Sequence, residues 1–148
     1  MDISAREKSI WIEFIITGAV SLYFFYSSYM LSGWTQIASY EMGGVVTNVI
    51  ILSIVASIIL YGLFSRETPE EKDERDLAIE SRGNACGYFA LTILCGLFVA
   101  FIIWSEGRVL LGKASTINGP VAMHLILIAL MISALFKQAS QLFYYRRG

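Results

Sequence analysis

Four long apolar segments, separated by short polar stretches, dominate the hydrophobic pattern of the chain. They cover residues 9–31, 43–64, 83–104 and 121–144. A helix needs about 20 apolar residues to cross the hydrocarbon core of a bilayer. Lipid offers no hydrogen-bond partners, so the backbone of each segment must satisfy itself as a helix. The pattern predicts an all-α integral membrane protein, an antiparallel four-helix bundle that forms one domain over residues 1–148.

A charged stretch before the third segment carries its own signals for the start of a helix. Residues 68–71 fit a capping box, and Pro69 occupies the favoured first helical position. No proline follows until residue 120. We therefore expect one long helix, amphipathic outside the membrane over residues 69–82 and transmembrane beyond it. Gly83 and Gly87 are possible kink points in this helix.

Lysine and arginine are distributed unevenly between the two sides of the predicted bundle. Nine of the eleven lie near the N-terminus, between the second and third spans, or at the C-terminal end. Only Arg108 and Lys113 lie on the opposite side. Because cytoplasmic segments carry the excess of positive charge, both termini and the middle loop are predicted to be cytoplasmic.

Composition narrows the classes of function. Hydrophobic residues make up 56% of the chain and charged residues 16%, whereas an ordinary soluble domain is about 25% charged. The formal net charge of −1 provides no basic surface for nucleic acid. The chain has a single histidine, His124, and no phosphate-binding loop, CxxC or HExxH motif. We expect no metal, no cofactor, no catalytic residue and no enzymatic activity. Cys86 and Cys95 should lie on opposite faces of one helix, unable to form a disulfide with each other.

Two ionisable residues fall inside predicted spans, where a charge is costly and often marks a functional site. Glu13 and Lys137 both lie near the cytoplasmic ends of their spans. They either pair or reach the headgroups to hold the bundle together, or they form a proton or ligand site. Thr17, Ser21 and Ser28 continue a weakly polar stripe from Glu13.

The most distinctive polar residues lie where the third span begins and the fourth ends. On a helix, Asp73, Asp76, Glu80 and Asn84 fall within an arc of about 80°, with Arg75 and Arg82 pointing the other way. Spans three and four should be antiparallel neighbours, so this acidic stripe is expected to meet the basic end of span four. We expect Asp76 and Glu80 to pair with Arg146 or Arg147. The candidate ligand- or partner-binding residues are Asp73, Asp76, Glu80, Asn84, Gln141, Tyr144, Arg146 and Arg147.

Small residues four apart indicate where helices approach each other closely in lipid. Such pairs occur at Gly83 and Gly87, at Gly96 and Ala100, and at Ser53 and Ser57. These faces exceed what one helical hairpin requires. We therefore expect an oligomer, with a homodimer as the simplest closed symmetry.

Two motifs in the second half of the chain resemble a known family. The run Asp73-Glu74-Arg75-Asp76, followed by Ile79-Glu80 and Tyr88, and the ending from Gln141 to Gly148, with its Tyr-Tyr-Arg-Arg-Gly tail, carry the resemblance. The chain is similar in these motifs to small prokaryotic four-span membrane proteins of unknown function. The resemblance implies a prokaryotic cytoplasmic (inner) membrane location and supplies no activity or substrate.

Two functions of different class remain open. One is a non-enzymatic binding or regulatory module, whose cytoplasmic polar cluster docks a protein partner or a lipid headgroup. The other is a small oligomeric transporter or channel that uses Glu13 and Lys137, with His124 at the far side. The second explains the intramembrane charges, although no pair of spans is interrupted by Gly or Pro as in many transporters.

Overall fold

The structure is a computed structural model that describes residues 5–32, 40–64, 73–113, 117 and 119–147. It contains four α-helices: α1 (Ala5–Ser32), α2 (Tyr40–Phe64), α3 (Glu74–Leu110) and α4 (Gly119–Arg147). Each predicted span lies inside one of these helices. The predicted all-α, four-helix fold is therefore confirmed.

The third helix is 37 residues long and continues without a break from the charged stretch into the apolar span. Its N-cap, Asp73, has an extended backbone and makes no side-chain capping hydrogen bond. The predicted start at Pro69 lies outside the described residues. At the other end, Gly112 has a φ of 74°, and its N–H donates to the carbonyl of Val109 at 2.9 Å. Glycine adopts this left-handed conformation without steric cost, so it ends the helix.

Among the described residues, three helices are long and apolar enough to cross a membrane. The qualifying stretches are Arg6–Met30, Glu74–Leu110 and Val121–Arg147. In α2, the apolar stretch among the described residues is shorter and covers Gly43–Ile59. Large apolar side chains such as Leu22, Tyr88 and Ile103 are exposed on the bundle. Lipid tails are as apolar as these side chains, so the outward faces suit a bilayer.

The fourth helix is the centre of the bundle. It packs against each of the other three helices, while α1 also packs against α2. The buried core lies between α1 and α2, where Phe24 is completely buried and Val49 is 1% exposed. Leu127 and Met131 of α4 cover this core. Within the described chain, α3 has backbone contacts with α4 alone, so the α3–α4 contact positions the whole of α3.

Glycines allow α3 and α4 to approach closely. A Cβ at Gly87 would lie 3.0 Å from Cβ of Lys137 and 3.2 Å from the carbonyl oxygen of Ser133. The Ser133 hydroxyl donates to the carbonyl of Gly87 at 2.8 Å, a hydrogen bond that this short separation permits. A Cβ at Gly83 would overlap Cγ of Gln141. The predicted packing face at Gly83 and Gly87 is thus confirmed.

The other two small-residue pairs lie elsewhere. A Cβ at Gly96 would meet nothing within 4 Å, and Ala100 is exposed. The hydroxyls of Ser53 and Ser57 donate to carbonyls of their own helix, at 2.8 and 2.7 Å. Within the described residues, the pair Gly96 and Ala100 therefore does not mark a contact between helices.

Candidate functional site: a charged cavity between three helices

A cluster of charged side chains lies where the N-terminal ends of α1 and α3 meet the C-terminal end of α4. Arg6 of α1 forms an ion pair with Glu80 at 3.3 Å and lies 3.8 Å from Asp76. The hydroxyl of Tyr145, from α4, donates to Asp76 Oδ1 at 2.5 Å. One guanidinium therefore bridges two carboxylates one helical turn apart, and a phenol holds the outer carboxylate from a third helix.

This arrangement corrects the expected partners of the acidic stripe. Asp76 and Glu80 pair with Arg6, and neither Arg146 nor Arg147 forms an ion pair with them. The guanidinium of Arg146 instead lies over the ring of Trp11, 5.2 Å from its centroid. That of Arg147 lies over Phe143, at 4.8 Å. The expectation was wrong because the carboxylates face toward α1, whereas the last turn of α4 directs its arginines to other sides.

A cavity of about 200 Å³ opens beside this cluster, between α1, α3 and α4. Its walls carry both signs of charge, with Glu13 exposed and Lys137 half-buried. Neither of these two side chains forms a hydrogen bond or an ion pair with another described residue. The lining residues are Arg6, Ser9, Ile10, Glu13, Asp76, Ile79, Glu80, Lys137, Gln141 and Tyr145.

A line of polar residues continues from this cavity along the contact between α1 and α4. Gln138 is buried, and its Nε2 donates to Thr17 Oγ1 at 3.1 Å. Its Oε1 is buried with no hydrogen-bond partner in the described chain. One turn beyond Thr17, the buried Ser21 hydroxyl donates back to the Thr17 carbonyl. An unpaired buried oxygen is uncommon in proteins, so this layer has the capacity to hold water or another donor.

His124 lies near the far end of the same contact. It is 7% exposed, its Nε2 lies 3.5 Å from Ser28 Oγ, and its ring lies 5.0 Å from that of Phe24. This is the environment of a histidine buried and hydrogen-bonded at a helix interface. Cys86 and Cys95 are both free thiols. Among the described residues, no group of three His, Cys, Asp or Glu side chains is placed to hold a metal ion.

The predicted binding residues separate into distinct places. Asp76, Glu80 and Gln141 line the cavity, together with Glu13 and Lys137. The other five are elsewhere: Asp73 and Asn84 are exposed, Tyr144 and Arg147 line a separate cleft on the other side of Ile79, and Arg146 stacks on α1.

Two residues of the cluster were not among the predicted ones. Arg6 precedes Glu13 by seven residues, which is two helical turns, so both lie on one face of α1. Tyr145 follows Gln141 by four residues, and Gln141 follows Lys137 by four, which likewise makes one face of α4. Both spacings can be read from the sequence. They indicate a shared cluster only once α1 is known to lie beside α4 at this end of the bundle.

The fold and the site define an all-α, small multi-pass membrane protein with a polar cavity at one end of its bundle. No family model matches the chain, and neither the curated proteins nor the solved structures include a match. The geometry of the chain itself therefore carries the functional argument.

Proposed function

We propose that this membrane protein is a non-enzymatic binding module whose ligand occupies the cavity between α1, α3 and α4. The observation that carries the proposal is the cavity's mixed lining, drawn from three helices at one end of the bundle. Arg6 is already paired with the two carboxylates of α3. Glu13 and Lys137 have no such partner in the described chain, so each has hydrogen-bonding capacity to offer a ligand.

The chemistry of these two groups suggests the class of ligand. A carboxylate from α1 and an ammonium from α4 in one cavity complement a small molecule that carries both charges, such as an amino acid. The cavity, at about 200 Å³, corresponds to the liquid volume of roughly seven water molecules at about 30 Å³ each. A ligand of this kind would replace water without leaving a buried charge unpaired, which keeps the cost of binding low.

Thermal stability of the purified protein in mild detergent tests the proposal, since a ligand that binds the folded state raises the melting temperature. We expect millimolar alanine to raise it, and alanine amide and N-acetylalanine, which each carry one charge, to raise it less. Glu13→Gln and Lys137→Gln should abolish the effect. The matched control is Glu106→Gln, an exposed carboxylate outside the cavity. If no neutral amino acid stabilises the protein, or if Glu13→Gln leaves the effect intact, the proposal fails.

A small transporter or channel is the second candidate, and the polar line from the cavity through Thr17 and Gln138 supports it. The buried Gln138 Oε1 is an acceptor along such a path. Flux measured in proteoliposomes distinguishes the two functions. Flux that depends on Glu13 and is lost in Glu13→Gln would favour transport, whereas binding without flux favours the module.

We also propose where the protein is located and how it assembles. We place the protein in a prokaryotic inner membrane as a homodimer, with the polar end cytoplasmic and able to meet a cytoplasmic protein. Labelling of cysteines introduced at residues 40 and 148 on intact cells tests the topology. Reaction of the tail alone with an impermeant reagent would contradict it. A mass measurement in mild detergent that finds only monomer at high protein concentration would contradict the dimer.

A further inference from the structure

A second cleft lies on the opposite side of Ile79 from the charged cavity, and its walls are basic. It has a volume of about 400 Å³ and lies between α3 and α4. The residues that line it are Arg75, Ala78, Ile79, Arg82, Tyr144 and Arg147. Three arginine side chains therefore border a mostly apolar cleft, and no carboxylate is among its described lining residues.

These arginines remain able to donate hydrogen bonds to a ligand. Within the described chain, none of the three forms an ion pair with a carboxylate. Arg75 Nη2 contacts only the carbonyl oxygen of Tyr145, at a long 3.4 Å. Arg82 lies over the ring of Tyr144, 5.1 Å from its centroid. Stacking engages the flat face of a guanidinium and leaves the N–H donors at its edge available.

The fold explains why the cations collect on this side. Arg75 and Arg82 are seven residues apart on α3, so they project from the same face two turns apart. Asp76 and Glu80 project to the other side, where Arg6 holds them. The contact between α3 and α4 thus separates a carboxylate-rich side from an arginine-rich side, and no carboxylate among the described residues lines the basic cleft.

The position of the cleft along the bundle indicates the source of its ligand. Arg82 immediately precedes Gly83, where the uncharged part of α3 begins. Phe143 and Phe89 are both exposed and lie on the same two helices at and beyond this level, with Phe89 seven residues after Arg82 on the same face of α3. Arginine and tyrosine flanking an exposed apolar surface are typical of the membrane–water interface. A ligand in the cleft would have its charged group beside the arginines and its apolar part against this surface.

We propose that the basic cleft binds a phosphate group, and that an anionic phospholipid headgroup supplies it. Arginine is suited to this role because its planar donors bind phosphate oxygens through paired hydrogen bonds. Basic clefts between membrane helices at headgroup level are physically suited to anionic lipids. The inference goes beyond the cavity ligand proposed above and does not depend on it.

Native mass spectrometry of the protein in detergent, with added lipid, tests the proposal. Phosphatidylglycerol carries an unmasked phosphodiester, whereas the phosphate of phosphatidylcholine is balanced by choline. We expect wild type to retain phosphatidylglycerol in preference to phosphatidylcholine. Arg82→Gln and Arg147→Gln should each weaken this retention by roughly fivefold, as expected for one arginine at a membrane surface.

The matched control is Arg108→Gln. Arg108 also lies on α3 and stacks over an aromatic ring, that of Trp104 at 5.1 Å, but at the other end of the helix. Arg108→Gln changes the net charge by the same amount as the cleft variants and should leave the retention of phosphatidylglycerol within twofold of wild type. Arg82→Lys keeps the charge and should fold if Arg82→Gln does not; it is expected to give a smaller loss, since an ammonium lacks paired donors.

Equal losses in the cleft and control variants, or equal retention of the two lipids, would overturn the proposal. Inorganic phosphate identifies the source. If it displaces phosphatidylglycerol at millimolar concentration with the same dependence on Arg82, free phosphate is a sufficient ligand and the lipid assignment is wrong. If it does not, the acyl chains are required, as the adjoining apolar surface predicts.

Discussion

Replacing Gly87 with alanine is expected to weaken the contact that holds α3 in the bundle. The added methyl group would lie 3.0 Å from Cβ of Lys137 and 3.2 Å from the carbonyl oxygen of Ser133. Neither atom is the free end of a flexible side chain, so relief requires the helices to move apart. That movement would also stretch the 2.8 Å hydrogen bond from the Ser133 hydroxyl to the Gly87 carbonyl.

Two opposing effects determine the size of the loss. Overpacking of a close contact costs about 1–3 kcal/mol, and a weakened hydrogen bond between membrane helices costs about 0.6 kcal/mol more. Alanine in a helix interior recovers about 0.5–1 kcal/mol relative to glycine. We expect Gly87→Ala to lower the free energy of unfolding by roughly 0.6–3 kcal/mol as the net of these terms.

Equilibrium unfolding in mixed micelles, with SDS as the denaturant and far-UV circular dichroism as the readout, measures this difference. Gly96→Ala is the matched control, because it lies in the same helix and its added methyl group would meet nothing within 4 Å. It should be neutral or stabilising by up to about 1 kcal/mol. If both variants change stability equally, helix propensity governs the result and the close contact at Gly87 has no energetic importance.

Further predictions concern the polar contacts. Arg6→Gln should lower stability more than Lys8→Gln, which changes an exposed neighbour. A double-mutant cycle of Arg6→Gln with Glu80→Gln should give a coupling energy of about 0.5 kcal/mol or more. If the two effects are additive in detergent melts, the ion pair between Arg6 and Glu80 is merely solvated. Thr17→Val should cost about 1–3 kcal/mol because it leaves Gln138 Nε2 buried without a partner. Combining it with Gln138→Leu should restore most of that loss in the same SDS titration, and a double variant less stable than Thr17→Val would contradict this account.

Periodicity along single helices predicted much of the site. The carboxylates of α3 do lie on the side away from Arg75 and Arg82, and Gly83 and Gly87 do form a close contact. Each of these statements depends only on the angle between residues on one helix, which 3.6 residues per turn determines. Gly83 and Gly96 show the limit of predictions from periodicity. Both belong to pairs of small residues four apart, but only Gly83 faces a neighbouring helix.

Length and apolar character by themselves determined that the chain forms four helices, because a continuous apolar segment of about 20 residues has the length of a helical span and satisfies its own backbone hydrogen bonds as a helix. Which cation meets Asp76 and Glu80 was decided by the tertiary structure alone. Arg146 and Arg6 are both arginines at the same end of the bundle, and helix periodicity does not state how one helix is rotated or tilted against the next. Packing around α4 sets those angles, and it brings the first turn of α1 beside the carboxylates of α3.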